Sequence, residues 1–117
     1  MKASTNPGLM RAGLPALLAG MLVLTAGCAG TLPPTEQMAL STAAVTRASS
    51  AGGTEMAPAE MQLAREKLDK AKVAMNAEEF DTARRLAREA QVDAQLAEAK
   101  ARSGTARKAA EELQKGI

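Results

Sequence analysis

The residue types that carry most enzymatic chemistry are scarce in this chain of 117 residues. It has no histidine and a single cysteine, Cys28, so the sequence cannot supply a Ser-His or Cys-His pair for nucleophilic catalysis. Glu78, Glu79 and Asp81 stand close together, but acidic residues in a first helical turn are explained by the helix dipole. Neither a Gly-rich phosphate loop nor a spacing typical of metal ligands occurs. We therefore expect a protein that is not an enzyme and that needs no cofactor or metal ion.

The beginning of the chain has the composition of a secretion signal. Lys2 and Arg11 provide positive charge, and residues 14–26 form an apolar run. A helix needs about 20 apolar residues to span a bilayer, and this run is shorter. The pattern therefore favours a signal peptide over residues 1–27.

The sequence Leu-Thr-Ala-Gly directly precedes Cys28, and the last three of these residues are small. This order resembles the lipobox of bacterial lipoproteins, although Thr25 stands where the usual motif has Leu. The resemblance implies that a diacylglycerol group is attached to Cys28 and that cleavage makes this residue the mature N-terminus. The alternative is ordinary signal cleavage near Ala26 or Ala29, which would leave a free thiol or remove it.

The residue after the cysteine bears on the destination of such a protein. Lipoprotein sorting in Gram-negative bacteria implies export to the outer membrane when this residue is not Asp, and here it is Ala29. More than one acyl chain would anchor the protein stably. We therefore expect a protein lipid-anchored to the outer membrane and facing the periplasm. Residues 28–34 would form a short tether, because the paired prolines at its end favour an extended chain.

Charge and aromatic content exclude one class of partner. Lys2 and Arg11 account for the formal net charge of +2, so the remainder of the chain is balanced. Aromatic residues make up 1% of the chain. With neither a basic surface nor side chains on which bases can stack, nucleic-acid binding is not expected. An Ala-rich core is also too small for the usual ligand pocket, so no small-molecule substrate is expected.

Residues 35–117 read as an Ala-rich, all-α domain. We predict a short helix over residues 35–51, a helix over residues 59–75 and a long helix over residues 78–114. Apolar residues recur in steps of three and four on the last two helices, which is the spacing of one helix face. A turn of so few residues makes these two helices an antiparallel hairpin. The predicted core positions are Met38, Val45, Ala48, Met61, Ala64, Leu68, Ala71, Met75, Phe80, Ala83, Ala87, Ala90, Ala94, Ala97 and Ala101.

A second stripe on the long helix is the candidate interaction surface. The shorter helix would cover the long one only to about Ala97, leaving the stripe without a partner in the hairpin. Gly104 could break the helix and fold its end back, because glycine inside a helix costs about 1 kcal/mol. We favour a continuous or mildly bent helix. The surface comprises Val92, Leu96, Ala99, Ala106, Ala110 and Leu113, with Ser103 in the same spacing.

Several stretches of the mature chain also resemble a known family. They are the Ala-Pro-Ala-Glu-Met start at residues 57–61, the Glu-Phe-Asp-Thr-Ala segment at residues 79–83 and the Asp-Ala-Gln-Leu-Ala run at residues 93–97. They are similar to a domain-of-unknown-function family of short, Ala-rich Gram-negative envelope lipoproteins. Some relatives carry this module ahead of an outer-membrane-protein-A-like domain that binds peptidoglycan. The resemblance implies a helical envelope module and brings no catalytic residue.

These observations lead to one main functional hypothesis and one alternative. The main hypothesis is a non-catalytic structural or protein-interaction module of the cell envelope, anchored by lipid and contacting another envelope protein or itself. The alternative is a self-assembling coiled-coil spacer between outer membrane and cell wall, similar in logic to the major murein lipoprotein. That protein ends in Lys, whereas this sequence ends Lys-Gly-Ile, which argues against a covalent wall link through Lys115.

Overall fold

The computed structural model describes residues 31–117. The predicted signal peptide and Cys28 lie outside the described residues. Within the described range, the elements are four helices: α1 (Thr35–Ser50), α2 (Gly53–Met56), α3 (Pro58–Asn76) and α4 (Phe80–Lys115). This part of the chain contains no strand, so the predicted all-α class is confirmed.

None of the helices in residues 31–117 combines the length and the apolar character that crossing a membrane requires.

The long helix α4 forms the axis on which the other helices pack. Along α3, Glu60 pairs with Lys100 and Lys67 pairs with Asp93, so α3 runs antiparallel to α4. This arrangement confirms the predicted hairpin.

The first helix completes a three-helix bundle. In α1, Gln37 donates a hydrogen bond to Gln91 at 2.7 Å, and Nε of Arg47 lies 3.9 Å from a carboxylate oxygen of Glu98. Contact positions thus advance together along both helices, and α1 runs parallel to α4. The additional N-terminal helix predicted from the sequence is confirmed.

The core is built almost entirely from alanine. Small side chains let the three helices approach closely, which compensates for the little apolar area that each alanine removes from water. Among the described residues, the largest side chain that is fully buried is that of Met61, followed by the much smaller Ser41. The buried alanines of α4 are Ala83, Ala87, Ala90, Ala94, Ala97 and Ala101, as predicted.

The buried face of α1 differs in part from the prediction. Ala48 is buried, but Met38 and Val45 are only half-buried, and Ser41 and Ala44 take the inner positions. The Ser41 hydroxyl donates a hydrogen bond to the carbonyl oxygen of Met38 at 3.0 Å, which satisfies this polar group inside the core. Small side chains are favoured on this face because α1 must fit against both α3 and α4.

The inner face of α3 follows the predicted spacing except at its end. Met61, Ala64, Leu68 and Ala71 are buried as expected, whereas Ala74 replaces Met75 as the last buried residue. In the following helix, Phe80 is half-buried.

The turn between α3 and α4 corrects the predicted start of the long helix. Glu78 and Glu79 do not lie in the first helical turn, because α4 begins at Phe80. Glu78 has a left-handed backbone with φ of 60°. The backbone N–H groups of Glu78 and Glu79 donate to the carbonyl oxygens of Met75 and Ala74 at 3.1 and 2.9 Å, which caps the end of α3.

A second turn creates a helix that the sequence did not predict. Gly52 has φ of 90°, and a Cβ atom on Gly53 would lie 2.7 Å from the carbonyl oxygen of Ala48. Both positions therefore require glycine. The turn at these glycines leads the chain directly into the short helix α2. Met56 of α2 packs against Gly104, so the covered part of α4 extends to Gly104 rather than ending near Ala97.

Candidate interaction surface on the last helix

One long face of α4 is open to solvent from Val92 to the end of the helix. We call it the outer face: Val92, Leu96, Ala99, Ser103, Ala106, Ala110 and Leu113. All these residues are exposed, and the exposed fractions of Val92, Leu96 and Leu113 are 62%, 47% and 72%. Apolar side chains of this size normally cover a core when they recur in a helical stripe. The outer face therefore unites every residue of the candidate surface predicted from the sequence.

The outer face lies opposite the helix bundle. Successive residues turn by 100° on a helix, which places Val92 and Ala99 across the helix axis from the buried Ala94 and Ala97. The shortness of the preceding helix, predicted as the reason for the missing partner, is therefore not the cause. The helix α3 would not cover this face however long it were.

The inner face of α4 becomes polar where the bundle ends. Continuing the spacing of the buried alanines beyond Ala101 leads to Gly104, Lys108, Glu111 and Lys115. Residues 105–117 are all exposed. We call this segment the overhang. Its larger apolar side chains follow the spacing of the outer face and Ala109 lies beside it, so the overhang does not offer a continuation of the bundle core.

The overhang is a direct extension of the covered helix. The helix α4 continues without interruption through Gly104 to Lys115. At 1.5 Å per residue, the helical part beyond Gly104 extends about 16 Å past the other helices. The chain does not fold back, and the outer face runs on one continuous helix.

Two of the basic residues beside the outer face have carboxylate partners within the chain, whereas Arg107 donates a hydrogen bond to the Ser103 hydroxyl at 3.4 Å. A guanidinium nitrogen of Arg102 lies 2.6 Å from a carboxylate oxygen of Glu98, and Lys100 pairs with Glu60 on α3. The hydrogen bond from Lys100 lowers the pKa of Glu60 below its ordinary value of 4.5. These pairs offset the charges of Arg102 and Lys100, and the strip between them is apolar except at Ser103.

A second group of charges holds α3 against α4 away from the overhang. The ammonium group of Lys67 lies 2.7 Å from Asp93 and 3.7 Å from Glu89, and Arg85 pairs with Glu89 at 3.0 Å. The hydrogen bond to Asp93 raises the pKa of Lys67 above its ordinary value of 10.5. Each charge in this group has a partner, so the group reads as a structural clamp rather than a reactive site.

The clustered acidic residues of the chain do not converge on a common site. Glu78 and Glu79 are exposed in the turn, and Asp81 pairs with Arg84 at 3.0 Å. Glu111 and Glu112 are exposed on the overhang. Across residues 31–117, no group of three or more His, Cys, Asp or Glu residues is arranged to hold a metal ion.

The contact that fixes where the chain enters the bundle was not predicted from the sequence. A guanidinium nitrogen of Arg84 donates a hydrogen bond to the carbonyl oxygen of Leu32 at 2.9 Å, and Pro34 is buried. The segment before α1 is therefore held beside the start of α4. No periodicity could reveal an interaction between a side chain and a backbone group so distant in the sequence.

Comparison with known proteins identifies one family. The sequence model of the family described as Domain of unknown function (DUF4398) matches residues 36–113, which includes nearly all of the helices described above. No curated protein and no solved structure matches the chain.

Proposed function

This chain belongs to the family described as Domain of unknown function (DUF4398), and we propose that it is a lipid-anchored, non-catalytic interaction module of the cell envelope. The lipid is attached to Cys28 and holds the protein at the outer membrane. The helical domain presents the outer face of α4 to a protein partner. The observation that carries this proposal is the continuous apolar strip on a helix face that no other element in residues 31–117 covers.

The anchor is supported by the sequence before the described residues. The apolar run over residues 14–26, the small residues before Cys28 and the similarity to envelope lipoproteins all agree with lipid attachment. Ala29 after the cysteine favours the outer membrane as destination. The periplasm is the expected compartment of the domain.

The contact between Arg84 and Leu32 gives the anchored domain a direction. Only Ala29 and Gly30 separate Cys28 from Thr31, the first described residue. Such a short segment reaches at most about 10 Å. The start of α4 therefore lies near the membrane, and the overhang lies at the opposite end of a helix of 36 residues. This helix is roughly 54 Å long, so the surface is presented well away from the lipid headgroups.

Exposed apolar area of this kind has a physical cost that a partner removes. Leu96 and Leu113 each expose about half or more of their side chains, although Glu, Lys or Gln would serve a solvated helix equally well. Contiguous exposed apolar strips mark binding surfaces more often than isolated exposed residues do. A helical partner suits this strip, because its central residues are small enough to allow close approach.

A self-assembling spacer is the second candidate, and the spacing of the outer face favours it. Its members alternate in steps of four and three, which is the repeat of a left-handed coiled coil.

Two experiments test the proposal in a Gram-negative host. Cell fractionation tests the anchor: wild-type protein is expected in the outer-membrane fraction, and the Cys28→Ser variant is expected in the soluble fraction. Retention of Cys28→Ser in the membrane fraction would show that the anchor is assigned wrongly.

Site-specific photo-crosslinking tests the surface. A photoreactive residue at Val92 is expected to give discrete adducts in intact cells, and the same residue at Val73, which is exposed on α3, serves as the matched control. Equal adduct patterns at both positions would show that the outer face is not a preferred contact surface. Loss of the Val92 adduct on changing Leu96 and Leu113 together to Lys would tie the contact to the apolar strip.

A further inference from the structure

We propose that the partner of the outer face is a second copy of this chain, docked parallel and in register to form a two-stranded coiled coil. This inference rests on the proposed function, because the direction of the pair follows from anchoring both copies on one membrane. It adds the identity of the partner and the geometry of the contact.

The spacing of the outer face fits such a pair along its whole length. From Val92 to Leu113, the steps alternate strictly between four and three residues. Ile117, which is fully exposed, continues the pattern two residues after α4 ends at Lys115. Positions that alternate in this way form the contact seam of a two-stranded coiled coil.

The sizes along the seam also suit contact with an identical helix. Val92 and Leu96 are large, Ala99 to Ala110 are small, and Leu113 and Ile117 are large again. In a parallel pair, each residue meets its own counterpart, so large side chains meet large ones and small ones meet small ones. Bulky apolar contacts then close both ends of the seam, and the small residues lie between them.

The charges beside the seam allow the face to meet itself. Arg102 would lie near Arg107 of the second copy, which by itself is unfavourable. Glu98 pairs with Arg102 at 2.6 Å within the same chain, and Glu60 pairs with Lys100. The carboxylate of Glu98 therefore offsets the charge of Arg102, one of the two like charges that identical faces bring together.

The area of the seam predicts a weak pair that membrane anchoring strengthens. A strip from Val92 to Ile117 is roughly 38 Å long, and two such strips one helix wide bury on the order of 900 Å². Specific interfaces need about 1,000 Å² or more, so the pair falls just below this limit and is weak in dilute solution. Attachment of both copies to one surface raises their effective concentration and favours the pair.

The anchor decides between parallel and antiparallel docking. The segment before α1 is held beside Arg84 at the start of α4. An antiparallel pair centred on the seam would place the two starts of α4 roughly 70 Å apart at opposite ends. A tether of a few residues cannot bring both ends to one membrane. The parallel pair places both anchors at the same end.

Cysteine cross-linking of the full-length chain in isolated cell envelopes tests this arrangement. Ala110→Cys places a thiol in the seam, and Lys108→Cys places one on the opposite side of the overhang as a matched control. A short bismaleimide is expected to produce at least five-fold more covalent dimer with Ala110→Cys than with Lys108→Cys. Adding Leu113→Lys to Ala110→Cys is expected to reduce the dimer at least five-fold. Because these side chains are exposed, the substitutions leave the core intact.

Three results would overturn the inference. Equal cross-linking of Ala110→Cys and Lys108→Cys would exclude the seam, and an unchanged yield with Leu113→Lys would exclude its apolar contacts. Cross-linking of Ala110→Cys only when mixed with Ala99→Cys would show an antiparallel pair and exclude the parallel one.

The wild-type chain separates failure of the anchor from failure of the pair. Its only cysteine is Cys28, and a lipid-bearing thioether does not react with maleimide. Maleimide labelling of wild-type protein would contradict the anchor alone. The seam variants, repeated with Cys28→Ser, would then decide whether the pair forms without a lipid.

Discussion

The carbonyl oxygen of Leu32 accepts a hydrogen bond from Arg84 at 2.9 Å, which ties the segment before the first helix to the start of the last one. Arg84 also pairs with Asp81, so its side chain is held in position on its own helix. Through this contact, the segment that precedes α1 is held at one end of α4, and the overhang lies at the other end.

Replacing Arg84 by Met should release this segment without unfolding the bundle. We expect backbone amides near Leu32 to exchange hydrogen faster and the free energy of unfolding to fall by less than about 1 kcal/mol, because the contact lies at the surface. Hydrogen exchange followed by mass spectrometry measures the first effect. Arg85→Met is the control, since Arg85 pairs with Glu89 instead. Equal exchange near Leu32 in both variants would contradict the role of Arg84.

The ion pair between Glu60 and Lys100 predicts a loss of stability in acid. The pKa of Glu60 is lower in the folded protein than its ordinary value of 4.5, so the folded state favours the carboxylate. The resulting stabilisation is fully present above pH 4.5 and is lost as the pH falls through the folded-state pKa. Thermal unfolding midpoints should therefore fall less steeply below that pH in Glu60→Gln than in wild type. Parallel curves for the two proteins would contradict this contribution.

The left-handed backbone of Glu78 predicts that glycine stabilises the turn. A left-handed conformation costs a residue with a side chain roughly 1–2 kcal/mol, whereas glycine adopts it freely but loses more entropy on folding. We expect Glu78→Gly to raise the free energy of unfolding by about 0.5 kcal/mol, measured by urea denaturation. Glu79, with φ of −82°, gains nothing from glycine. A stabilised Glu79→Gly variant together with a destabilised Glu78→Gly variant would refute this account of the turn.

Replacement by alanine should affect the free energy of unfolding differently at Gly104 and at Gly53. A Cβ on Gly104 would lie 3.1 Å from Sδ of Met56, a flexible side chain that can move, and alanine favours the helix by about 1 kcal/mol. Gly104→Ala should therefore be neutral or stabilising. A Cβ on Gly53 would meet the rigid backbone oxygen of Ala48 at 2.7 Å, so Gly53→Ala should destabilise by about 1 kcal/mol or more. Chemical denaturation distinguishes these outcomes, and a destabilised Gly104→Ala would show that Met56 cannot move.

Periodicity predicted the hairpin because the alanine stripe of α4 is regular and the turn before it is short. Every alanine from Ala83 to Ala101 in that stripe is buried, and the outer face is exposed as one strip. These features depend on helix geometry alone, which local sequence determines. The all-α class and the long last helix follow from the same regularity.

Features that depend on the approach of distant segments could not be predicted. Helix α2 exists because Gly52 and Gly53 turn the chain toward Met61 and because Met56 finds space at Gly104. The choice of Ser41 over Met38 as a buried residue depends on how closely α1 approaches its neighbours. The outer face is open because it lies opposite the bundle. This position could be recognised only once the packed arrangement of all helices was known.

We propose that Cys28 carries the lipid that places this domain on a membrane, with its overhang directed away from that membrane. The most direct measurement is the intact mass of the protein extracted from the envelope of a Gram-negative host. The extracted chain is expected to begin at Cys28 and to carry the added mass of its acyl groups. A chain of unmodified mass that begins at any other residue would contradict it.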